Sequence, residues 1–267
     1  MERVRRVARG LLGYKSPLYR AASQALNCWQ ILRREGWKTT RSLTRLENSA
    51  GPATTLRLRS LRHPFIVRPG TVDVATVIDN VVREEWGQFP AEFIPSTIID
   101  AGAYIGDTAA YLLTKFPSAR LIAIEPNDES YMLAAQNLAP YGKRVSLVLA
   151  ALWSKQTVVR LSGVHTGAAI DVHGQEVATE TIPSLMSKFA ISSIDLLKLD
   201  IEGAEIDVLE AGAQEGWLNK IRVIVLEIHS YESERPLIGL LSSAGFQCTR
   251  FRNAWYCVRR EGSIALG

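Results

Sequence analysis

The chain has 267 residues, 47% hydrophobic and 22% charged, with 31 Lys+Arg against 27 Asp+Glu and three cysteines. Such composition excludes wholesale disorder, and no run of about 18 apolar residues offers a membrane-spanning helix. Cys28, Cys248 and Cys257 lack zinc-ligand spacing and are too few for a disulfide scaffold, and the first residues lack the apolar core of a secretory signal; a reducing cytoplasm is the expected location.

Charge is uneven. Residues 1–45 hold 11 Lys+Arg and only Glu2 and Glu35 as acids, a net +9, which leaves −5 on the remainder. This basic arm points either to an anionic partner, peripheral to a membrane or on a protein, or to a solvated helix. Val4, Val7, Ala8 and Leu11 share one helical face, and Leu18, Ala22, Leu26 and Trp29 another. No nucleic-acid-binding motif accompanies the charge. Asn48–Pro52 combines turn formers with a proline, so the predicted division is 1–50 arm, 51–95 lead-in hairpin and helix capping the site, and 96–267 main domain.

In the lead-in, Thr54–Leu61 alternates and His63–Arg68 reads as extended, a hairpin; Val74–Trp86 carries a helical stripe. A β/α rhythm follows. Strands are predicted at 97–100, 120–125, 145–149, 194–199 and 222–228, and helices at 107–116, 128–138, 204–211 and 237–244. An insert, 154–190, holds a strand near 157–161 and a helix near 183–189. Phe246–Arg252 and Ala254–Arg259 alternate around Asn253, a closing antiparallel hairpin. Alternating strands and helices make a doubly wound α/β sheet, and the hairpin separates it from a plain dinucleotide-binding fold.

Four motifs sit at predicted strand ends. Asp100-Ala101-Gly102-Ala103-Tyr104-Ile105-Gly106 is a glycine turn between strand and helix, where backbone approaches a ligand closely. It lacks both the Lys-Ser/Thr ending of a P-loop and the G-x-G-x-x-G spacing. Glu125-Pro126-Asn127 ends the next strand with an acid placed to accept two ribose hydroxyls. Lys198, Asp200, Glu202 and Glu205 crowd a third strand end; Lys198 is expected to pair with Glu202 or Glu205, and Asp200 to face the ligand crevice. Glu227-Ile228-His229 ends the adjacent strand and offers an imidazole as proton acceptor. His63, His165 and His173 carry no assignment. Oxygen and imidazole donors at Asp200, Glu227 and His229 suit several divalent metals, but no spacing motif supports one and no metal is assigned.

In this order the motifs resemble the FkbM-type family of S-adenosylmethionine-dependent methyltransferases. Asp195-Leu196-Leu197-Lys198-Leu199-Asp200-Ile201-Glu202-Gly203-Ala204-Glu205 matches the family's D-x-x-K-x-D-x-E-G-x-E core. Residues 100–106 match its D-x-G-A-N-x-G loop, with Tyr104 in place of Asn. Glu125-Pro126-Asn127 and Ala151-Leu152 match the second and third cofactor motifs, and Arg68–Asp73 resembles its R-x-G-T-x-D segment. The resemblance covers about residues 60–260 and leaves the arm outside. It implies a class I methyltransferase (Rossmann-like) seven-stranded sheet with an antiparallel last strand, here with a basic helical N-terminal extension.

The cofactor implied is S-adenosyl-L-methionine, with Asp100, Gly102, Ala103, Tyr104, Gly106, Glu125, Pro126, Asn127, Ala151, Leu152 and Asp200 as its contacts. His229 is the expected base, Glu227 its orienting or alternative group, and Asp200 the residue near the reacting methyl. The implied reaction is O-methylation of a small-molecule or glycan hydroxyl, a sugar first and a secondary metabolite second. A silent methyltransferase-like scaffold using the arm, and a nicotinamide oxidoreductase, are the competing readings. The missing G-x-G-x-x-G and the closing hairpin count against the oxidoreductase.

Overall fold

The computed structural model describes residues 17–162, 169–170 and 174–260. The Val4–Leu11 stripe, His165 and His173 lie outside them.

Two helices lead, α1 (Pro17–Glu35) and α2 (Trp37–Glu47), hinged at Gly36, whose φ of +82° suits glycine. They dock through Ile31, Glu35 and Leu43, all buried. Glu35 accepts hydrogen bonds from the backbone of Arg59 and Ser60, and Arg34 pairs with Glu84. Trp29, from the predicted apolar stripe, is exposed, as are Leu32 and Trp37. The docking face was hidden from periodicity because it includes a glutamate.

The lead-in hairpin pairs β1 (Thr54–Leu56) with β2 (Phe65–Val67). The predicted 74–86 helix is shorter: α3 (Asp73–Val77) widens into a π turn at Ile78–Val82 and stops, with Trp86 beyond it. Asn137 ties the hairpin to the body, accepting from Ile66 N and donating to the carbonyls of Ile66 and Ile105.

The main sheet contains β3 (Thr97–Ala101), β4 (Arg120–Glu125), β5 (Val145–Leu149), β10 (Ile194–Leu199), β11 (Ile221–Glu227), β12 (Phe246–Phe251) and β13 (Ala254–Arg259), in the order β12-β13-β11-β10-β3-β4-β5. Strands β3, β4, β5, β10 and β11 run parallel, while β13 is antiparallel to both β11 and β12. A seven-stranded sheet with an antiparallel closing strand is the arrangement expected. Between β5 and β10, a small sheet joins β6 (Ala151–Leu152), β7 (Val158–Ser162), β8 (Ala169–Ile170) and β9 (Gln175–Glu180) in the order β6-β9-β7-β8.

Two apolar layers flank the main sheet. On one side α4 (Asp107–Lys115) and α5 (Asp128–Leu138) join the lead-in; on the other lie α6 (Ile182–Lys188), α7 (Glu205–Gln214) and α8 (Tyr231–Ser243). Helix α8 starts six residues before the prediction and runs through Pro236, with Glu232 and Glu234 complementing its N-terminal dipole. The alternation of strand side chains puts Ile98, Leu196 and Val223 in the first layer and Ile99, Leu197 and Ile224 in the second. Asp100 and Lys198 therefore share the first face, and the β3–β10 register makes them direct neighbours. Cys248 and Cys257 oppose each other in the closing hairpin and are disulfide-linked, one cross-link on an already paired ladder rather than a scaffold.

Candidate active site

A cavity of about 420 Å³ opens at the carboxyl ends of β3, β4 and β10. That is where open α/β sheets bind ligands, and the volume suits a cofactor.

Its floor is the loop after β3. Gly102 has φ +76°, and a Cβ there would overlap the Asp200 carbonyl oxygen, so only glycine lets the two strand ends approach. Tyr104 also has positive φ, +49°. An Asn tolerates that conformation more readily, and Tyr104 holds it by bonding outward. Its hydroxyl donates to buried Asp73 at 2.5 Å and accepts from Arg68 at 3.1 Å, while Arg68 also pairs with Asp73 at 2.9 Å. Position 104 thus reaches the cavity mainly through its backbone. Tyr104→Phe is expected to lower stability by about 1–3 kcal/mol, because buried Asp73 loses a donor; cofactor affinity should stay near wild type, as calorimetry beside thermal unfolding would check.

Glu125 ends β4. Its oxygens accept from the backbone N–H of Tyr104 at 2.7 Å and of Asn127 at 2.9 Å, leaving lone pairs for a ligand in the cavity. Burial pushes its carboxyl up to about 7, against those two hydrogen bonds. Beside it Ala150, Ala151, Leu152 and Trp153 form an apolar wall, and the insert strand β7 adds Val159 and Leu161.

Asp200, Ile201, Glu202, Gly203 and Ala204 line the opposite side. Beneath them Lys198, fully buried, lies 3.2 Å from Asp100 Oδ1 and 3.5 Å from Asp200 Oδ2, and donates to the Gly102 carbonyl at 2.7 Å. The expected pairing of Lys198 with Glu202 or Glu205 is corrected: strand alternation turns Lys198 toward Asp100, and Glu205 lies beyond the strand on α7. Burial disfavours the ammonium, but Asp100 and Asp200 together hold it charged.

Glu205 is nearly inaccessible and accepts from Ile201 N and Gly203 N at 3.1 and 3.0 Å. It also meets His229 Nδ1 at 3.0 Å, so Glu205, not Glu227, orients this ring. The Nε2 of His229 lies 3.3 Å from Asp200 Oδ1 and 3.5 Å from Glu202 Oε2. Burial works against the imidazolium, yet hydrogen bonds to Asp200 and Glu205 outweigh it and push the ring up to about 10. At neutral pH His229 is therefore protonated, which opposes its expected role as base. Burial and Asp200 both push the Glu227 carboxyl up.

Of the expected cofactor contacts, Gly102, Tyr104, Glu125, Pro126, Ala151, Leu152 and Asp200 line the cavity. Four do not. Asp100 is sealed beneath it with Lys198; Ala103 is buried; Gly106 starts α4 in a left-handed conformation against Leu138; Asn127 caps α5 by accepting from Ser130 N. They shape the loops that do line it. The sequence reading missed Ile201, Gly203, Trp153, Val159 and Leu161; only the glycine after Glu202 and the insert's place near the site gave a signal. His63 packs edge-on against Tyr141, away from the cavity.

Residues 100–248 match the sequence profile described as Methyltransferase FkbM domain. Methyltransferase sdnD of Sordaria araneosa is 30% identical over 198 residues, 59% of this chain and 76% of that protein. Methyltransferase 1 of Beauveria bassiana is 24% identical over 189 residues, 60% and 76% of the two chains. Among solved structures, the tRNA (uracil-54, C5)-methyltransferase of Pyrococcus abyssi with S-adenosyl-L-homocysteine superposes with a TM-score of 0.44 at 10% identity, covering 78% of this chain and 44% of that one.

Proposed function

From its membership of the FkbM methyltransferase family, to which this chain belongs, we propose that it methylates a hydroxyl group, most simply that of a sugar or glycan. Its cofactor is S-adenosyl-L-methionine, which supplies a sulfonium-bound methyl whose C–S bond breaks as the acceptor's O–C bond forms.

The observation that carries this reading is the acidic rim beside the cavity, where Asp200, Glu202, Glu227 and His229 converge. An alcohol must lose its proton as it attacks, and carboxylates held above their usual range accept one more readily. Burial raises Glu202 and Glu227 alike. Glu125 fits two ribose hydroxyls, the Ala150–Trp153 wall fits an adenine, and Asp200 faces the cationic end. His229, protonated, positions the acceptor oxygen as a donor. An acidic rim repels phosphate, which favours an uncharged hydroxyl compound over nucleic acid as acceptor. Val159 and Leu161 of the small sheet line the cavity, and segments at the strand ends of such folds carry specificity.

Transfer of labelled methyl from the cofactor to a panel of glycans, sugars and small alcohols tests the reading; label appearing only on nitrogen or carbon acceptors would overturn it. Binding of the cofactor supplies a pH test. Ionised Glu125 is the better acceptor for ribose hydroxyls, so affinity should rise by up to roughly tenfold from pH 6 to pH 8, and the rise should vanish in Glu125→Ala. Stability of the free protein moves the other way. A carboxyl raised on folding contributes stability that is present below about 4.5, its unfolded value, and lost as pH climbs through about 7.

A further inference from the structure

We propose that the rim is a divalent-cation site, with Asp200, Glu227 and His229 as protein ligands and its open positions facing the acceptor hydroxyl. This rests on the methyl-transfer reading and deepens it.

One ligand atom from each of the three residues falls within 4.8 Å of the others. They come from the ends of two adjacent strands, β10 and β11, whose parallel pairing fixes their spacing. The set is two carboxylates and an imidazole, which suits manganese, iron, cobalt, zinc or, less strongly, magnesium. Two further observations separate it from a chance cluster of acids. First, His229 is held as a metal-ligating histidine usually is: a buried carboxylate, Glu205, itself fixed by two backbone N–H groups, takes Nδ1 and leaves Nε2 aimed at the cluster. Second, Glu227 is half-buried, yet among the described residues no hydrogen bond or ion pair engages its carboxylate. The nearest ammonium, Lys198, is already committed to Asp100, Asp200 and Gly102.

Three protein ligands leave positions open for water or substrate. A hydroxyl taken into one of them becomes more acidic and is fixed near the methyl donor. Glu227 and His229 then serve as ligands, the cation taking the place of the His229 Nε2 proton and of its hydrogen bond to the acceptor, and Glu202, 3.5 Å from His229 Nε2, is left to receive the hydroxyl proton.

The test is titration of the full-length protein with Mn²⁺, free ion being followed by electron paramagnetic resonance and S-adenosylmethionine binding measured in parallel by calorimetry. One saturable Mn²⁺ per chain is expected, weakened roughly 10- to 100-fold or more in Glu227→Gln and in His229→Gln. Cofactor affinity should persist in both variants, which also shows that they are folded, and Glu227→Asp should retain part of the Mn²⁺ affinity. The site is overturned by absence of saturable uptake at millimolar Mn²⁺, or by uptake indifferent to both substitutions. It is equally overturned if the cofactor displaces Mn²⁺, since the rim's charge would then serve the cofactor's own cation. Methyl transfer that persists in a chelator would remove the cation and leave the methyl-transfer reading standing; failure of the cofactor to bind while Mn²⁺ binds would do the reverse.

Discussion

Gly102→Ala is expected to abolish cofactor binding and lower stability by roughly 2–5 kcal/mol, the sum of a left-handed conformation for a residue with a Cβ and of overpacking against backbone. The obstacle is the Asp200 carbonyl oxygen, which the new Cβ would overlap. Backbone cannot rotate away as a side chain can. Asp200 N donates to the Ala101 carbonyl and Gly102 N to the Ile124 carbonyl, so the loop is tied to both neighbouring strands. Relief must displace β10 from β3, and with it Asp200. Gly142→Ala separates the two contributions. Gly142 also has positive φ, +61°, but nothing lies within 4 Å of its would-be Cβ. It should lose only the conformational part, about 1–3 kcal/mol for a residue with a Cβ at φ +61° and ψ −136°, and bind cofactor normally. Chemical denaturation and calorimetry on the two variants check the pair of expectations; equal losses would contradict the close approach.

Lys198→Met is the second large effect. Asp100 is wholly buried and neither of its oxygens accepts a hydrogen bond among the described residues, so the ammonium 3.2 Å away is its compensation. Removing one partner of such a pair destabilises by about 3–5 kcal/mol, a fall in melting temperature of roughly 6–20 °C for a chain of this size. The clamp on the Gly102 carbonyl goes too, so cofactor affinity should drop with stability. The pH dependence gives the cause away. Without Lys198, burial raises the folded pKa of Asp100 further above its unfolded value. The variant then holds its stability below the ordinary carboxylate range and loses it as pH rises through the raised value, so its deficit against wild type should be small in acid and full at neutral pH. Lys198→Met combined with Asp100→Asn should recover much of the loss, because no charge is then stranded. A double variant no more stable than Lys198→Met alone would show that the lysine acts through the Gly102 and Ala101 carbonyls instead.

Both substitutions fall where strand alternation and sheet register meet, and this is also where sequence reading stopped. Period-two patterning puts Asp100 on one face of its strand and Lys198 on one face of another. Whether the two strands are neighbours, and in which register, is a long-range property. A local reading therefore gave Lys198 the acids nearest in sequence, Glu202 and Glu205. The same limit hid Glu205 as the group that orients His229, since the contact joins residues 24 apart. It hid the protonated state of the ring as well, which depends on Asp200 and Glu205 reaching from the β10–α7 connection to a histidine just beyond the end of β11.

Local physics was enough for much else. Glycines at a strand-to-helix turn, an acid ending the next strand, β/α alternation and an alternating final hairpin were legible in the chain, because each depends on a few consecutive residues: backbone freedom, side-chain period, turn chemistry. They determined the α/β class, the antiparallel close and the edge of the sheet on which the cavity lies. Only the tertiary structure decided which motif residues touch the cavity and which support it. Asp100 and Asn127 carry the same motif signal as Glu125, yet one is sealed under the floor and the other caps a helix. The arm shows the same division. Its charge is plain in the sequence, but the face that docks is Ile31, Glu35 and Leu43, because a glutamate becomes a docking residue only once the backbone N–H groups of Arg59 and Ser60 are folded against it.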